Sequence, residues 1–373
     1  MAGLYFHIPF CKQACYYCDF HFSTDSTGRQ PMVEAMITEL DLQIDYLDGQ
    51  IVNTLYFGGG TPSLLSGEEI EKLLHKGHSL FKIASPEVTL EANPDDLSSE
   101  MLNSLKSAGI NRLSIGIQSF QNDILQYLNR AHDAGTARQC LEDTRVAGFN
   151  NVSIDLIYGI PGLSMDRWKQ TLEEVLQFSP EHISTYALTI EERTVFGNWQ
   201  KKGKLKAVDE ETEAGQFEML MDILSNAGYR HYEISNFCKP GFISQHNSSY
   251  WKRVPYLGIG PSAHSYNGSS RQYNIRNNAL YVRSIQQETI PFEKEILSDI
   301  NKINEYILTS LRTDWGCDLD FLHTSLKDDL LTRRRDYLNQ IIAQGLISKE
   351  INILRLTRKG KLLADKIAGD LML

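Results

Sequence analysis

Six short apolar runs, each followed by an amphipathic stretch, fill the first two-thirds of the chain and restrict its fold more than any other feature. Gly3–His7, Asn53–Phe57, Glu87–Glu91, Arg112–Gly116, Asn151–Leu156 and His182–Ala187 read as strands. Met32–Tyr46, Gly67–Phe81, Ser99–Ala108, Ala134–Ala147 and Met165–Gln177 read as the helices between them. Gly109 and Gly148 each follow a last helical turn, where a left-handed cap favours glycine. Strands that alternate with helices can pair in parallel, because the helix supplies the crossover that a tight turn cannot. The expected class is α/β. The sheet is either open and doubly wound or barrel-like, and both place polar site residues at strand ends.

Beyond residue 200 the pattern loosens. Lys201–Lys206 reads as a solvated basic turn and Glu210–Gly228 as a helix with its stop. Tyr229–Asn278, rich in Gly, Asn, Ser and aromatics, shows little period and is expected to be a long irregular, functional stretch. A helical pattern resumes from Ile296, and Leu346–Ser348 with Ile353–Leu356 forms a hairpin ahead of a helix near Arg358. The expected division is therefore 1–200, a core of strands and helices; 201–295, its extension with the aromatic and Gly-rich region; and 296–373, a small helical, winged-helix-like domain.

The net charge of −10 opposes a broad nucleic-acid-binding surface. Arg333–Leu373 runs the other way, with nine Lys/Arg against four Asp/Glu, or +5, but a solvated lid or partner surface explains it better than nucleic acid does. No apolar run approaches the roughly 20 residues that span a bilayer. With no export signal readable at Met1–Phe10, the expected location is the cytoplasm. Three of the six cysteines crowd into Cys11–Cys18, a spacing that suits metal chemistry better than disulfides. Cys140, Cys238 and Cys317 read as buried small side chains.

Cys11, Cys15 and Cys18 form C-x3-C-x2-C within His7-Ile-Pro-Phe-Cys-Lys-Gln-Ala-Cys-Tyr-Tyr-Cys-Asp-Phe20. Three thiolates at this spacing can each ligate one iron of a 4Fe–4S cluster and leave the fourth iron open. Structural zinc would need a fourth ligand, for which His7 and His21 are available. Downstream, Gly58-Gly59-Gly60-Thr61-Pro62 closes a strand, where glycines admit close backbone approach and exposed N–H groups can hold an anion. Glu91, Gln118 and Asp155 sit at strand ends, and Arg130 follows a helix. An acidic group there can hold ribose hydroxyls and an arginine can pair with a carboxylate.

The cysteine motif is the signature of the radical S-adenosylmethionine (SAM) superfamily. With Tyr5–Phe10, Cys18-Asp19-Phe20 and the GGGTP element it resembles the coproporphyrinogen oxidase-like branch, and within it the HemW-type heme chaperones, over roughly the whole chain. The resemblance implies a radical SAM partial (β/α)6 barrel with a small C-terminal helical, winged-helix-like domain. It implies a 4Fe–4S cluster on Cys11, Cys15 and Cys18, with SAM on the open iron and cleavable to a 5′-deoxyadenosyl radical. It places Tyr5, Gly59 and Glu91 on that SAM. Tyr17, Gly60, Thr61, Gln118, Arg130 and Asp155 match the lining of the oxidase's second SAM position.

Two departures separate the chain from the oxidase. The oxidase has a fourth cysteine two residues after the third, where this chain has Phe20, and a longer segment before its first strand. Both favour a heme chaperone, with oxygen-independent coproporphyrinogen III oxidation as the second reading. His246-Asn-Ser-Ser-Tyr250-Trp251 matches the HNxxYW element associated with heme in that family, so His246, Tyr250 and Trp251 are heme-binding candidates, with Cys238 in reserve. Heme, a recipient hemoprotein and an electron donor such as flavodoxin or ferredoxin are the implied partners. Peripheral membrane contact, dimerisation, productive SAM cleavage and the role of His264 stay open at this point.

Overall fold

A computed structural model describes residues 1–373. The six expected strands are present as β1 (Ala2–Ile8), β2 (Val52–Gly59), β3 (Ile83–Ala92), β4 (Arg112–Gln118), β5 (Val152–Tyr158) and β6 (His182–Ala187). Between them lie α1 (Arg29–Leu42), α2 (Gly67–Leu80), α3 (Ser99–Ala108), α4 (Asn122–Tyr127), α5 (Ala134–Val146) and α6 (Met165–Phe178). Their starts follow the caps in the sequence. Ser66 and Glu69 form a reciprocal capping box on α2, and Ser98, Asp133 and Ser164 each accept a backbone N–H at the next three helices of this size. Gly109 and Gly148 take φ of 106° and 81°, as left-handed stops.

All six strands are parallel, and their order is their order in the chain. A doubly wound sheet reverses direction at a switch point. This one never does, so the helices all fall on one face and the sheet curls as a partial barrel that does not close. Residues 4 and 6, 55 and 57, 88 and 90, 113 and 115, and 152 and 154 are apolar and form the layer beneath the helices. Their alternating neighbours are polar and face the barrel interior, among them Tyr5, Tyr56, Glu91, Ser114, Asp155 and Ser184.

The segment expected to be irregular is largely ordered. After α7 (Val195–Lys201) and α8 (Glu210–Asn226) come β7 (Arg230–Glu233), β8 (Asn236–Cys238), α9 (Gln245–Trp251), β9 (Tyr256–Ile259), β10 (His264–Tyr266) and β11 (Ser270–Asn274). These strands are three to five residues long, too short to show a period. They extend the sheet at both ends. β8 and β7 continue antiparallel beyond β6; β9 lies parallel to β1, followed by β10, β11 and β12 (Phe292–Ile296). Gly258 permits the tight pairing of β9 with β10, because a Cβ there would lie 2.1 Å from the His264 carbonyl oxygen.

One buried carboxylate ties this later wing to the first helix. Glu39 of α1 accepts from Gly260 N (2.8 Å), Tyr281 Oη (2.5 Å), Asn274 Nδ2 (2.6 Å) and Gln43 Nε2 (3.1 Å). Tyr281 belongs to α10 (Asn278–Ile285). Burial raises the pKa of Glu39, and the four donors oppose that rise.

The C-terminal segment has its own apolar cluster, from Ile303 to Leu371, around α11 (Asp299–Leu311) and a small sheet of β13 (Cys317–Asp318), β15 (Ile353–Leu356) and β14 (Ile347–Glu350). Several of its basic side chains are spent inside the molecule. Arg333 grips Asp328 and two terminal carbonyls, Arg355 pairs with Glu350, and Arg358 pairs with Asp222 of α8. No helix is long and apolar enough to cross a membrane.

Removing the Glu39 carboxylate would strand four donors in the interior. Glu39→Ala is expected to lower stability by about 3 kcal/mol or more, while Glu39→Gln, which keeps an acceptor, costs less. Denaturant midpoints at unchanged m-value measure the difference.

Candidate functional site

The cysteines lie on the loop between β1 and α1, and hydrogen bonds across its neck give that loop its shape. Cys11 N donates to Ser23 O (3.0 Å) and Ser23 N to Pro9 O (2.8 Å), so the loop projects as a closed unit. Its far side is fastened to the turn after α4. Tyr16 N donates to Leu128 O (3.2 Å), Gln13 Nε2 to Asn129 O (3.0 Å) and Asn129 Nδ2 to Ala14 O (2.7 Å). Asn129 has φ of 57°, which suits asparagine better than a branched residue. Tyr16 also packs edge-on against Phe196 and Trp199, at 6.0 and 5.1 Å between centroids.

Cys11, Cys15 and Cys18 are unpaired and half-buried, and all three line one cavity of about 970 Å³ at the open end of the barrel. Burial pushes the Cys11 and Cys18 thiols up to about 11. Both therefore carry protons at neutral pH until metal displaces them. Arg130 donates to Cys15 Sγ and to Tyr17 Oη, each at 3.4 Å, and to Asn93 Oδ1 at 2.5 Å and Gly116 O at 2.9 Å. Thr61 Oγ1 donates to Cys11 Sγ at 3.4 Å. Thiols backed by a cation and a hydroxyl are the donor type an iron–sulfur cluster takes, but no three His, Cys, Asp or Glu side chains stand grouped as a metal-holding set, so the cysteine side chains would have to turn toward one another to share a cluster. The two histidines available as a fourth zinc ligand are each held through Nε2: His7 by His21 O (2.9 Å) and His21 by Asn278 Oδ1 (2.8 Å).

The cavity also brings together every residue expected around SAM: Tyr5, Tyr17, Gly59, Gly60, Thr61, Glu91, Gln118, Arg130 and Asp155. Glu91 is held by Tyr56 Oη (2.7 Å) and by Gly59 N (3.2 Å). Burial first, and Asp155 second, raise its pKa to about 7, against the pull of Tyr56, Gly59 and Arg112. Asp155 accepts from Ser114 (3.1 Å) and Ser153 (3.2 Å), and burial raises its pKa as well.

The glycine run works differently from the sequence expectation. The Gly59 N–H is committed to Glu91 and the Gly60 N–H to Ile8 O (2.8 Å), so neither is free for a ligand anion. The glycines are required by the protein itself. A Cβ on Gly59, whose φ is 107°, would lie 2.6 Å from the His7 ring, and one on Gly60 would lie 2.6 Å from Phe10 O.

The three heme candidates occupy different surroundings. The His246 ring is 1% exposed and absent from the cavity wall. Nδ1 bonds Thr54 Oγ1 and Nε2 bonds Tyr250 Oη, each at 2.8 Å, and the ring stacks on Tyr56 at 4.8 Å. With both nitrogens occupied it is a buried prop for Tyr250, which does line the cavity. Trp251 faces the C-terminal unit, with Arg312 over its ring at 5.6 Å. Cys238 is fully buried. Motif order alone could not reveal which way the imidazole points.

Alternation within the strands identifies further site residues. His7, Asn93, Ser114 and Tyr186 also line the cavity, and below it lies Arg112, 1% exposed, with no hydrogen-bond partner on its guanidinium. Arg112-Ser114-Gly116-Gln118 alternates with Leu113-Ile115-Ile117, a period of two that signals a polar inner face.

Comparison with known proteins agrees with this geometry. The radical SAM superfamily matches residues 5–175, and the HemN C-terminal domain matches residues 297–363. The heme chaperone HemW of Lactococcus lactis is 36% identical over 97% of this chain and 95% of its own. Those of Bacillus subtilis and Escherichia coli are 34% and 31% identical over at least 96% of either chain. The chain belongs to the HemW family. As a radical SAM protein it takes a 4Fe–4S cluster and SAM as cofactors. The solved structure of Escherichia coli coproporphyrinogen III oxidase (HemN) superposes with a TM-score of 0.84 over 100% of this chain and 90% of that one; at 22% identity the likeness is one of fold.

Replacing His246 in this HemW-family chain removes the partner of two buried hydroxyls. His246→Ala is expected to lower stability by about 1–3 kcal/mol, read as a shift in the unfolding midpoint.

Proposed function

We propose that the chain is a heme chaperone that holds a 4Fe–4S cluster and SAM at the barrel mouth, binds heme and delivers it to a recipient hemoprotein. Its relatedness to named heme chaperones over essentially the whole length of both chains carries this reading. Phe20 supports it against the oxidase. At the position of the oxidase's fourth cysteine stands an aromatic side chain 71% exposed at the edge of the cavity.

Cys11, Cys15 and Cys18 would hold three irons, and Tyr5, Gly59 and Glu91 would face the SAM on the fourth. Tyr17, Gly60, Thr61, Gln118, Arg130 and Asp155 would line the second SAM position. When bound, the cluster and SAM supply one-electron reduction and a carbon-centred radical. The protein's own part is to orient and shield: Arg130 offsets thiolate charge, Glu91 faces the cationic ligand, and the zipped neck of the loop fixes the thiols. A flavodoxin- or ferredoxin-type donor would supply electrons, and the setting would be the cytoplasm. Residues 1–200 would carry the cofactors, 201–295 the cavity's far wall and 296–373 a separate small helical domain.

Anaerobic reconstitution tests the assignments. Replacing any one of Cys11, Cys15 and Cys18 by alanine is expected to abolish stable cluster uptake, read as iron and sulfide content. Incubation with coproporphyrinogen III, SAM and reductant is expected to yield no protoporphyrinogen IX, and its formation would restore the oxidase reading. SAM affinity should fall below about pH 7, approaching tenfold per unit, as Glu91 takes up a proton. The carboxylate binds a cationic ligand better than the acid does, so the loss runs toward low pH. Isothermal titration of Glu91→Gln should show that slope flattened.

A further inference from the structure

Heme binding at a barrel mouth calls for a donor to iron, most commonly an imidazole nitrogen, a cation for the macrocycle's carboxylates and an apolar face. His246 supplies no free nitrogen, so the donor has to be sought elsewhere. Of the ten histidines in the chain, three line the cavity: His7, His21 and His264. His7 bonds Tyr5 Oη through Nδ1 (3.3 Å) and His21 O through Nε2, and is buried. His21 is tied to Asn278 and stacks on His7 at 6.2 Å. His264, the first residue of β10, is exposed, and neither ring nitrogen has a hydrogen-bond partner within the protein. Its ring stacks on Tyr273 of the paired strand at 5.5 Å and 29°, which sets its plane without engaging a nitrogen.

The same wall carries the other two requirements. Arg276 is exposed and donates through one nitrogen to Asp19 O (3.0 Å), leaving the rest of its guanidinium unengaged. That bond joins the β11–α10 segment to the cysteine loop immediately before Phe20, the exposed aromatic at the cavity edge. His264 and Arg276 are neighbours of each other and of His7: burial first holds His7 down, at about 4, against the hydrogen bond to His21 O that raises it, and the nearby His264 and Arg276 add to the lowering. An unpartnered imidazole, a guanidinium with one nitrogen spent and an exposed phenyl ring therefore line the same cavity.

We infer that His264 is the axial ligand of heme in this chain, with Arg276 receiving a carboxylate of the macrocycle and Phe20 covering its face. The assignment rests on the heme-chaperone reading above and places heme beside the cysteine loop rather than at the HNxxYW helix. The iron–nitrogen bond uses the lone pair of the neutral imidazole, so no oxidant or proton acceptor is needed. Partial burial, with Arg271 and Arg276, keeps His264 below the ordinary histidine range and hence neutral near pH 7.

The test is titration of the anaerobically reconstituted full-length protein with ferric protoporphyrin IX, read as difference spectra against the heme-free protein. The wild type is expected to give a nitrogen-ligated Soret band. His264→Ala should lose that band position and about tenfold or more in affinity, and free imidazole should restore the band. Arg276→Gln should weaken binding without moving the band, and His246→Ala should keep the band. Cluster content and circular dichroism report that each variant is folded. A wild-type band that survives His264→Ala unchanged, or one lost in His246→Ala while the fold persists, overturns the assignment and leaves the chaperone reading standing. A wild type that shows no Soret shift overturns both.

Discussion

A parallel sheet covered by helices on one face only must find something other than a hydrophobic core for its second face, and the site follows from that constraint. The helices bury the apolar set of strand residues, which leaves the alternate set pointing into a curled, unclosed interior. Here that set is polar: Tyr5 and Tyr56, Glu91, Ser114, Asp155, Ser184. Polar groups withdrawn from bulk water must pair with one another or wait for a ligand. Glu91 and Asp155 do the first, through Tyr56, Gly59, Ser114 and Ser153, and both have raised pKa values from burial. Arg112 has no partner and sits beneath them as the one cation whose field opposes that rise at both sites.

The cysteine loop is placed by the same sheet. β1 delivers it to the barrel mouth, the β2 glycines let it pass close to the strand end, and Arg130 and Asn129 fasten it from the β4 side. The β1, β2 and β4 units thus hold one loop. The cavity's other wall comes from residues some 250 positions later in the chain, held to α1 through Glu39. The barrel half presents thiols and carboxylates together with His7, His21 and Arg130, and the late wing adds His264 and Arg276.

Much of this was legible in the sequence. Strand and helix positions followed from runs long enough to show a period, and the residues expected around cluster and SAM lie on strands, loops and turns that the parallel alternation brings to one cavity. What escaped depended on contacts between distant residues. The reason for Gly59 and Gly60 is the His7 ring and the Phe10 carbonyl, and no local pattern announces either. The burial of His246 was not legible because a motif gives the order of residues and not their facing; the environment that fills its two nitrogens comes from Thr54, nearly two hundred residues away, as well as from Tyr250 one turn on. Tyr229–Asn278 read as loop because its strands are too brief to repeat.

The position of β1 has a consequence for how the chain is made. It is the first strand to emerge and an interior one in the finished sheet, yet its partner on one side, β9, begins at Tyr256. At about 5–20 residues per second, β1 waits on the order of ten seconds or more with one edge unpaired. During that interval the edge is a template for stray strands, and the cysteine loop beside it lacks the wall that later narrows its approach. That interval is when the nascent chain is most exposed to mispairing.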